Sequence, residues 1–223
     1  MIYRNEIKHV ITPGDKAAIC AGMRAIAQLD PHAREKGHYR IRSLYFDNLY
    51  DKALMEKIDG VSEREKFRIR YYDGDLSLIH LEKKVKRGGL GYKISETISR
   101  EEAQKIISGD TDWMAVSGRG LLIELYSKMK SQCLRPQTIV DYDRIPFVYG
   151  PGNVRVTIDW NIRTGSPQDF LNPNGLTLPL PDSTTLLEVK WDEYLPNIIR
   201  QATALRSRQP SAFSKYAACR VYG

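Results

Sequence analysis

The most regular pattern in the chain is an alternation of charged and apolar residues in the stretch FRIRYY, which begins at Phe67. Successive side chains of a β-strand point to opposite faces of the sheet. Arg68 and Arg70 therefore share one face, and Ile69 lies on the other. The alternation predicts a strand with one cationic face and one apolar face.

A second strand with the same pattern follows after a turn at Asp73-Gly74-Asp75. Its residues Glu82, Lys84 and Lys86 share one parity, while Lys83 is a charged residue on the opposite, apolar face. For this hairpin alone, two solvated faces rich in lysine and arginine explain the pattern as well as a functional site does.

The same alternation recurs at strand parity along the chain, which favours a functional interpretation. The further residues on charged faces are Arg4, Glu6 and Lys8; Tyr142 and Arg144; Arg155, Thr157 and Asp159; and Glu188 and Lys190. If such a sheet curls into a barrel, the charged faces line the interior and the apolar faces lie under helices. We therefore expect an α+β fold, a closed antiparallel β-barrel tunnel with a charged lumen and helices packed on the outside. Crowded cations need anionic compensation, so the expected ligand is a polyphosphate.

The face of one further predicted strand is left open by its composition. In YRIRSLYFDN, Tyr39, Ser43 and Tyr45 share one parity and Arg40 and Arg42 the other, so either face could point inward. A single long helix is predicted from 113 to 130, and a closing helix is predicted to begin near residue 211.

Length and charge limit the classes of function. The 223 residues, 42% hydrophobic, suffice for one sizeable core, so we expect a single domain over residues 1–223. The formal net charge of +7 favours an anionic partner. Because the basic residues lie at strand parity and alternate with acids, a compact phosphate ligand fits better than a nucleic acid.

Other motifs change this picture little. The cysteines Cys20, Cys133 and Cys219 are widely spaced and have no zinc-site spacing, so we expect free thiols in a reducing cytosol. The N-terminal residues are charged where a signal peptide needs an apolar run, and we expect a soluble, cytoplasmic protein. The glycine-rich stretch that begins at Arg87 lacks the GK[ST] ending of a phosphate-binding loop, so we interpret it as a turn.

Several motifs, taken in order, resemble the VTC domain, the polyphosphate polymerase domain of the vacuolar transporter chaperone family in the triphosphate tunnel metalloenzyme superfamily. The motifs are SLYFDN (43–48), FRIRYY (67–72), LEKK (81–84), VDYDRIPF (140–147), VRVTIDW (154–160), LLEVKW (186–191) and FSKY (213–216). The resemblance extends from about residue 3 to residue 222. It implies a tunnel of antiparallel strands that binds ATP and a divalent metal, Mn²⁺ or Mg²⁺, and transfers the terminal phosphate of ATP to a growing polyphosphate chain.

The resemblance also implies roles for individual residues. The expected catalytic residues are Lys8, Arg68, Arg70, Lys84, Arg144 and Lys215, and the expected substrate-binding residues are Lys93, Tyr142, Arg155, Lys190 and Ser214. Glu188 is the first candidate for the metal ligand, ahead of Glu82, Asp159 and Glu6. For each acid the competing interpretation is an ion pair with a neighbouring cation. For Ser214 and Lys215 it is an exposed first turn of a helix.

Two departures from the family pattern shape the expected function. The hydrolytic branch carries E-x-E-x-K on its first strand, and this chain has only the Glu6-x-Lys8 half, which argues against simple triphosphatase chemistry. The eukaryotic polymerases also carry a domain that senses inositol phosphates and a transmembrane module that the resemblance does not cover. The resemblance therefore leaves two possibilities, a separate membrane-protein partner for product export or a stand-alone, prokaryotic-type version of the domain. The alternatives are a tripolyphosphatase or nucleoside triphosphatase in the same tunnel, or a non-catalytic module that binds polyphosphate or nucleotide.

Overall fold

The computed structural model describes residues 4–33, 35–88, 90–181, 184–205 and 208–222. The strands are β1 (Asn5–Ile11), β2 (Gln28–Leu29), β3 (Tyr39–Asp47), β4 (Arg64–Tyr72), β5 (Asp75–Arg87), β6 (Leu90–Ile98), β7 (Arg135–Tyr149), β8 (Val154–Gly165), β9 (Leu178–Pro179) and β10 (Thr185–Trp191). The α-helices are α1 (Pro13–Ile26), α2 (Lys52–Ile58), α3 (Arg100–Ser108), α4 (Gly120–Ser131), α5 (Asn197–Ala202) and α6 (Lys215–Tyr222).

One antiparallel sheet organises these elements. Its main strands follow the order β1-β10-β8-β7-β3-β4-β5-β6, and the short strands β2 and β9 pair with β7 and β8. The sheet curls until its two edge strands meet, where the Arg4 N–H donates a hydrogen bond to the Gly91 carbonyl at 3.3 Å. The predicted α+β fold with a curled antiparallel sheet is confirmed.

Apolar side chains on the convex face of the sheet form the core beneath the helices. One buried cluster includes Phe67, Ile69 and Leu81 of the central hairpin and packs under α3 and α4. A second includes Val156 and Val189 and packs under α1 and α5. The charged faces of the same strands therefore point to the concave side, as the alternation predicts.

The central hairpin shows why its charged parity is fixed. Asp73 and Gly74 have positive φ angles of 49° and 77°, and Tyr72 pairs with Asp75 across this two-residue turn. Asp-Gly is a favoured sequence for such a turn, whose twist matches that of the flanking strands. Lys83, the exception to the alternation, lies on the convex side and pairs with Glu65 at 2.9 Å and with Glu124 of α4.

Two helices differ from their predicted extents. The predicted helix over 113–130 is instead a 3₁₀ turn at Asp112–Val116 followed by α4, and Gly118 between them has a φ of 70°. The closing helix α6 begins at Lys215, and Ser214 Oγ accepts a hydrogen bond from the Ala217 N–H at 3.3 Å. In the described part of the chain, no helix has the length and apolarity needed to cross a membrane.

Helix α6 departs from the outer coat because it packs on the concave side of β7 and β8. Thr164 Oγ1 donates to the carbonyl oxygen of Cys219 at 3.1 Å, and Cys219 joins a buried cluster with Tyr39 and Tyr142. The Tyr216 hydroxyl donates to Asp47 at 2.5 Å. Asp47 also accepts from the backbone N–H groups at the start of α2, so α2 and α6 are held together at one end of the concave face.

Candidate active site

The concave face brings together charged side chains from seven strands and α6. The predicted site residues that lie there are Lys8 (β1), Lys190 and Glu188 (β10), Arg155 (β8), Tyr142 and Arg144 (β7), Arg68 and Arg70 (β4), Lys84 (β5), Lys93 (β6) and Lys215 (α6). The contribution of β3, whose face the sequence left open, consists of Tyr39, Ser43 and Tyr45. Most of the charged side chains gather in two groups, each around one buried carboxylate.

The first group, which we call the Glu82 cluster, consists of Glu82, Arg68, Arg70 and Lys93. Glu82 is only 1% exposed, and its carboxylate lies 2.6 Å from Arg68 Nη2 and 2.5 Å from Lys93 Nζ. Arg70 Nη1 is farther away, at 3.8 Å. Three cations thus share one carboxylate, so the cluster has an excess of positive charge.

Two hydroxyl groups of the neighbouring strand β3 fix the two arginines. Arg68 Nη1 donates to the Tyr45 hydroxyl at 2.8 Å, and Arg70 Nε donates to Ser43 Oγ at 2.8 Å. Neither Tyr45 nor Ser43 is among the site residues predicted from the sequence, although the two share a parity in β3. In turn, Arg68 and Arg70 lower the pKa of Tyr45 to about 8, although burial acts in the opposite direction and is the larger single cause.

The second group, which we call the Glu188 cluster, consists of Glu188, Glu6, Lys8, Lys84 and Lys190. Lys8 Nζ bridges the two carboxylates, at 2.9 Å from Glu6 and 3.2 Å from Glu188. Lys190 Nζ lies 2.8 Å from Glu188, and Lys84 Nζ lies 3.3 Å from Glu6. Because Lys84 projects from β5 and Glu6 from β1, this contact spans the seam where the edge strands β1 and β6 meet.

A buried ion pair between Arg144 and Asp159 joins the Glu188 cluster to α6. Arg144 donates through Nε and Nη2 to both oxygens of Asp159, at 2.6 and 2.7 Å, and its Nη2 lies 3.9 Å from Glu188. Lys215 Nζ lies 2.6 Å from the same Asp159. The ring of Tyr142 lies beneath both cations, and its hydroxyl lies 3.4 Å from Arg70 Nη2. Tyr142 therefore connects the Glu82 and Glu188 clusters.

The carboxylates of the site are held ionised by these cations. Burial alone would raise the pKa of each, but Lys190 and Lys8 hold the pKa of Glu188 well below its ordinary value. Lys84 and Lys8 lower the pKa of Glu6 in the same way, and Arg68 and Arg70 lower that of Glu82. These groups are therefore anionic at neutral pH.

Two predicted residues lie apart from both clusters. Arg155 Nη2 contacts Asp30 at 3.0 Å and the Tyr39 hydroxyl at 2.7 Å, on the strand position opposite Lys190. Ser214 caps α6, so its hydroxyl serves the helix terminus. The predicted phosphate-binding role of Ser214 stays a prediction.

The chemistry of Glu188 and Glu6 fits a divalent cation. Both are ionised carboxylates joined through Lys8, and hard oxygen ligands suit Mg²⁺ and Mn²⁺. Within the described residues, no three histidine, cysteine, aspartate or glutamate side chains come together as a cation site. A cation bound here would therefore complete its coordination with phosphate oxygens and water, which is usual where Mg²⁺ binds phosphates.

Comparisons with solved structures agree with the fold of this chain. The PH1012 protein of Pyrococcus horikoshii OT3 has a similar structure, with a TM-score of 0.51 at 13% identity, over 95% of this chain and 96% of that chain. A conserved hypothetical protein of Pyrococcus furiosus gives a TM-score of 0.51 at 12% identity, over 97% and 99% of the two chains. At such low identity these likenesses show the fold alone. A search of curated proteins found no match.

A comparison with family profiles is more specific. The profile described as the VTC domain matches residues 3–222, nearly the whole chain. The match spans every strand and helix that contributes to the Glu82 and Glu188 clusters. The chain therefore belongs to the VTC domain family.

Proposed function

We propose that this protein is a metal-dependent polyphosphate polymerase that transfers the terminal phosphate of ATP to a growing polyphosphate chain in the curled sheet. Family membership supports triphosphate or polyphosphate as the class of ligand. The observation that carries the proposal is the charge of the concave face. There, in the described part of the chain, the predicted site cations outnumber the carboxylates Glu6, Glu82, Asp159 and Glu188 that pair with them.

Phosphoryl transfer depends on positioning the phosphates and neutralising their oxygens more than on covalent chemistry by the protein. Arg70 is the best-placed fork for a phosphate, because its Nη1 makes only a 3.8 Å contact with Glu82 while Ser43 holds its Nε. Arg144 is oriented by Asp159 and lies beside Glu188, so it can neutralise phosphate oxygens near that carboxylate.

The lysines of the Glu188 cluster supply point charges around the same phosphates. Lys8, Lys84 and Lys190 each contact a carboxylate that a divalent cation would also contact. Glu188, with Glu6, would hold the cation, Mn²⁺ or Mg²⁺, whose chemistry is to neutralise and align phosphate oxygens. With Glu188 and Glu6 holding a cation, the ammonium groups of Lys8, Lys84 and Lys190 would be free to donate to phosphate oxygens.

Lys215 and Lys93 complete the proposed cage from opposite sides. Lys215 projects from α6 into the interior, where it pairs with Asp159. Lys93 projects from β6 and pairs with Glu82. Arg155 would bind phosphates beyond Lys190, because the two residues are directly opposite on β8 and β10. The incomplete E-x-E-x-K pattern, with Arg4 where the hydrolytic branch has its first glutamate, favours polymerase over hydrolase chemistry. We further propose that the domain acts in the cytoplasm and passes its product to a separate membrane-protein partner.

The experiment that tests this proposal is incubation of the purified protein with ATP and Mn²⁺ or Mg²⁺, followed by separation of the products on a polyphosphate-staining gel. The proposal predicts long chains that depend on the metal and are missing with Glu188→Ala. Release of free phosphate without chains would instead support a tripolyphosphatase or nucleoside triphosphatase. Tight binding of ATP or polyphosphate without either product would support a binding module.

A further inference from the structure

One end of the concave face, next to α2, carries cations that the site described above does not use. We call this set the α2 mouth; it consists of Lys57 of α2, Arg64 and Lys66 of β4, and Lys86 of β5. All four side chains are partly buried. Lys66 and Lys86 have the same parity as Arg68 and Lys84, so they face the interior of the curled sheet.

The strand register places like charges of this set directly opposite each other. Lys66 on β4 pairs with Lys84 on β5, which in turn pairs with Lys93 on β6. Arg64 pairs with Lys86 in the next row on the same face. Directly opposed like charges destabilise a sheet, so this arrangement has a cost that a bound anion would remove.

No carboxylate among the described residues lies within 4.0 Å of the charged nitrogens of the α2 mouth, although every cation of the Glu82 and Glu188 clusters has such a partner. Lys66 Nζ instead lies 4.6 Å above the ring of Tyr216. Arg64 donates to the backbone carbonyl of Val61. The α2 mouth is therefore the part of the interior where positive charge is least compensated.

Electrostatics within the set agree with this geometry. The pKa of Lys66 is lowered to about 8, mainly by burial; Tyr45 and Asp47 oppose the shift, and Arg64 and Lys57 contribute to it. Burial also lowers the pKa of Lys57, assisted by Arg64 and by Lys8. The pairing of Lys66 with Lys84 places the α2 mouth beside the Glu188 cluster.

We propose that the α2 mouth is a second phosphate-binding segment, which holds a linear polyphosphate chain where it extends beyond the Glu82 and Glu188 clusters. This inference rests on the proposed function and adds the direction in which the polyphosphate chain extends from the two clusters. At the end opposite the α2 mouth, Arg155 is paired with Asp30 and Tyr39, so among the described residues uncompensated positive charge accumulates at the α2 end. The chain of phosphates lies toward α2.

A linear polyphosphate fits this segment better than other anions. Each unit of such a chain carries negative charge, so successive phosphates can meet Lys84, Lys66 and Lys86 as they pass along the interior. A triphosphate that contacts the two clusters has only three phosphates, so we expect it to contact the α2 mouth less than a long chain does. The α2 mouth should therefore distinguish long chains from short ones.

The test compares the affinities of long-chain polyphosphate and tripolyphosphate for the protein by isothermal titration calorimetry without metal. The variant is Lys66→Met with Lys86→Met, which keeps the aliphatic stems and removes one charge from each of the two opposed pairs, Lys66 with Lys84 and Arg64 with Lys86. We expect the affinity for long chains to fall about tenfold or more, because charge-assisted contacts are lost. The affinity for tripolyphosphate should stay within about twofold.

A matched control is Lys105→Met, which removes an exposed lysine from α3 on the outer side and should leave both affinities unchanged. Circular dichroism checks that the double variant is folded; relief of charge repulsion should keep its unfolding temperature at or above that of the wild type. An equal loss of affinity for both ligands, or no loss for either, would overturn the inference while leaving the proposed function intact. A wild-type protein that binds long chains but makes none from ATP would refute the proposed function alone.

Discussion

The substitution Glu82→Gln tests whether the carboxylates of the concave face take the place of a phosphate when none is bound. Glu82 is buried among Arg68, Arg70 and Lys93, and it is the one carboxylate within 4.0 Å of any of them among the described residues. The glutamine keeps the shape and some hydrogen bonds but removes the negative charge. The three cations are then left together without a counter-ion.

The expected cost follows from the burial of the pair. Loss of one partner from a buried ion pair destabilises a protein by about 3–5 kcal/mol, because the remaining charge is uncompensated. For a chain of 223 residues this lowers the Tm by about 6–20 °C. The pKa of Glu82 is strongly lowered by Arg68 and Arg70 against the effect of burial, so its contribution to stability is present above pH 4.5 and declines as the solution is acidified further.

Tripolyphosphate should reverse much of this loss. A ligand at 100 times its Kd stabilises the folded protein by about 2.7 kcal/mol, and the variant should gain more than the wild type because no carboxylate competes for the arginines. Thermal unfolding followed by circular dichroism, with and without tripolyphosphate, measures both effects. The control Glu124→Gln removes a half-exposed partner of Lys83 on the convex side and should cost less than about 1 kcal/mol, with no dependence on the ligand. The reasoning is refuted if Glu82→Gln unfolds at the wild-type temperature, or if tripolyphosphate raises both melting temperatures equally.

Two further predictions concern the metal and the pH. Glu188→Gln should lower metal-dependent turnover of ATP about 100-fold or more. In the absence of metal, the variant should bind tripolyphosphate at least as tightly as the wild type does, because one negative charge is gone. Kinetics and calorimetry measure the two effects, and an equal loss of turnover and of affinity would indicate a purely structural role. Binding of long-chain polyphosphate near pH 8 should be accompanied by proton uptake at Lys66. The pKa of Lys66 in the free protein is lowered to about 8, mainly by burial, and a bound phosphate raises it again. The affinity for long-chain polyphosphate should therefore fall as the pH rises from 7 to 9. Calorimetry in buffers of different ionisation enthalpy measures the number of protons taken up. No proton uptake by the wild type, or the same uptake by Lys66→Met, would contradict this prediction.

The sequence was most informative where a strand has two chemically distinct faces. The alternation around Arg68 and Arg70, and around Glu188 and Lys190, predicted the side of the sheet on which these residues lie. It could not do so for β3, because Tyr39 and Tyr45 on one face and Arg40 and Arg42 on the other are all amphipathic. Arg42 is in fact 1% exposed on the convex side, paired with Asp141 at 2.7 Å. Local periodicity cannot reveal a buried charged residue whose ion-pair partner lies on a strand that is distant in sequence.

Contacts between side chains on strands far apart in sequence could not be predicted either. Nothing local indicates that Lys84 of β5 reaches Glu6 of β1, because the contact depends on how far the sheet curls. The position of α6 on the concave side is a similar case, since its amphipathic pattern does not show which face of the sheet it covers. The predicted long helix over 113–130 was wrong at Gly118, where a positive φ ends the 3₁₀ turn before α4 begins.

The most direct test of the account is the affinity of tripolyphosphate for Arg70→Ala and for Arg119→Ala, measured by calorimetry against the wild type. Arg70 lies on the concave face beside Glu82, and Arg119 lies on the outer side, paired with Glu96 and Glu102. The account predicts a loss of about 10- to 150-fold for Arg70→Ala, from one to two charge-assisted hydrogen bonds, and an unchanged affinity for Arg119→Ala. Equal affinities for the two variants would contradict the claim that phosphates bind inside the curled sheet.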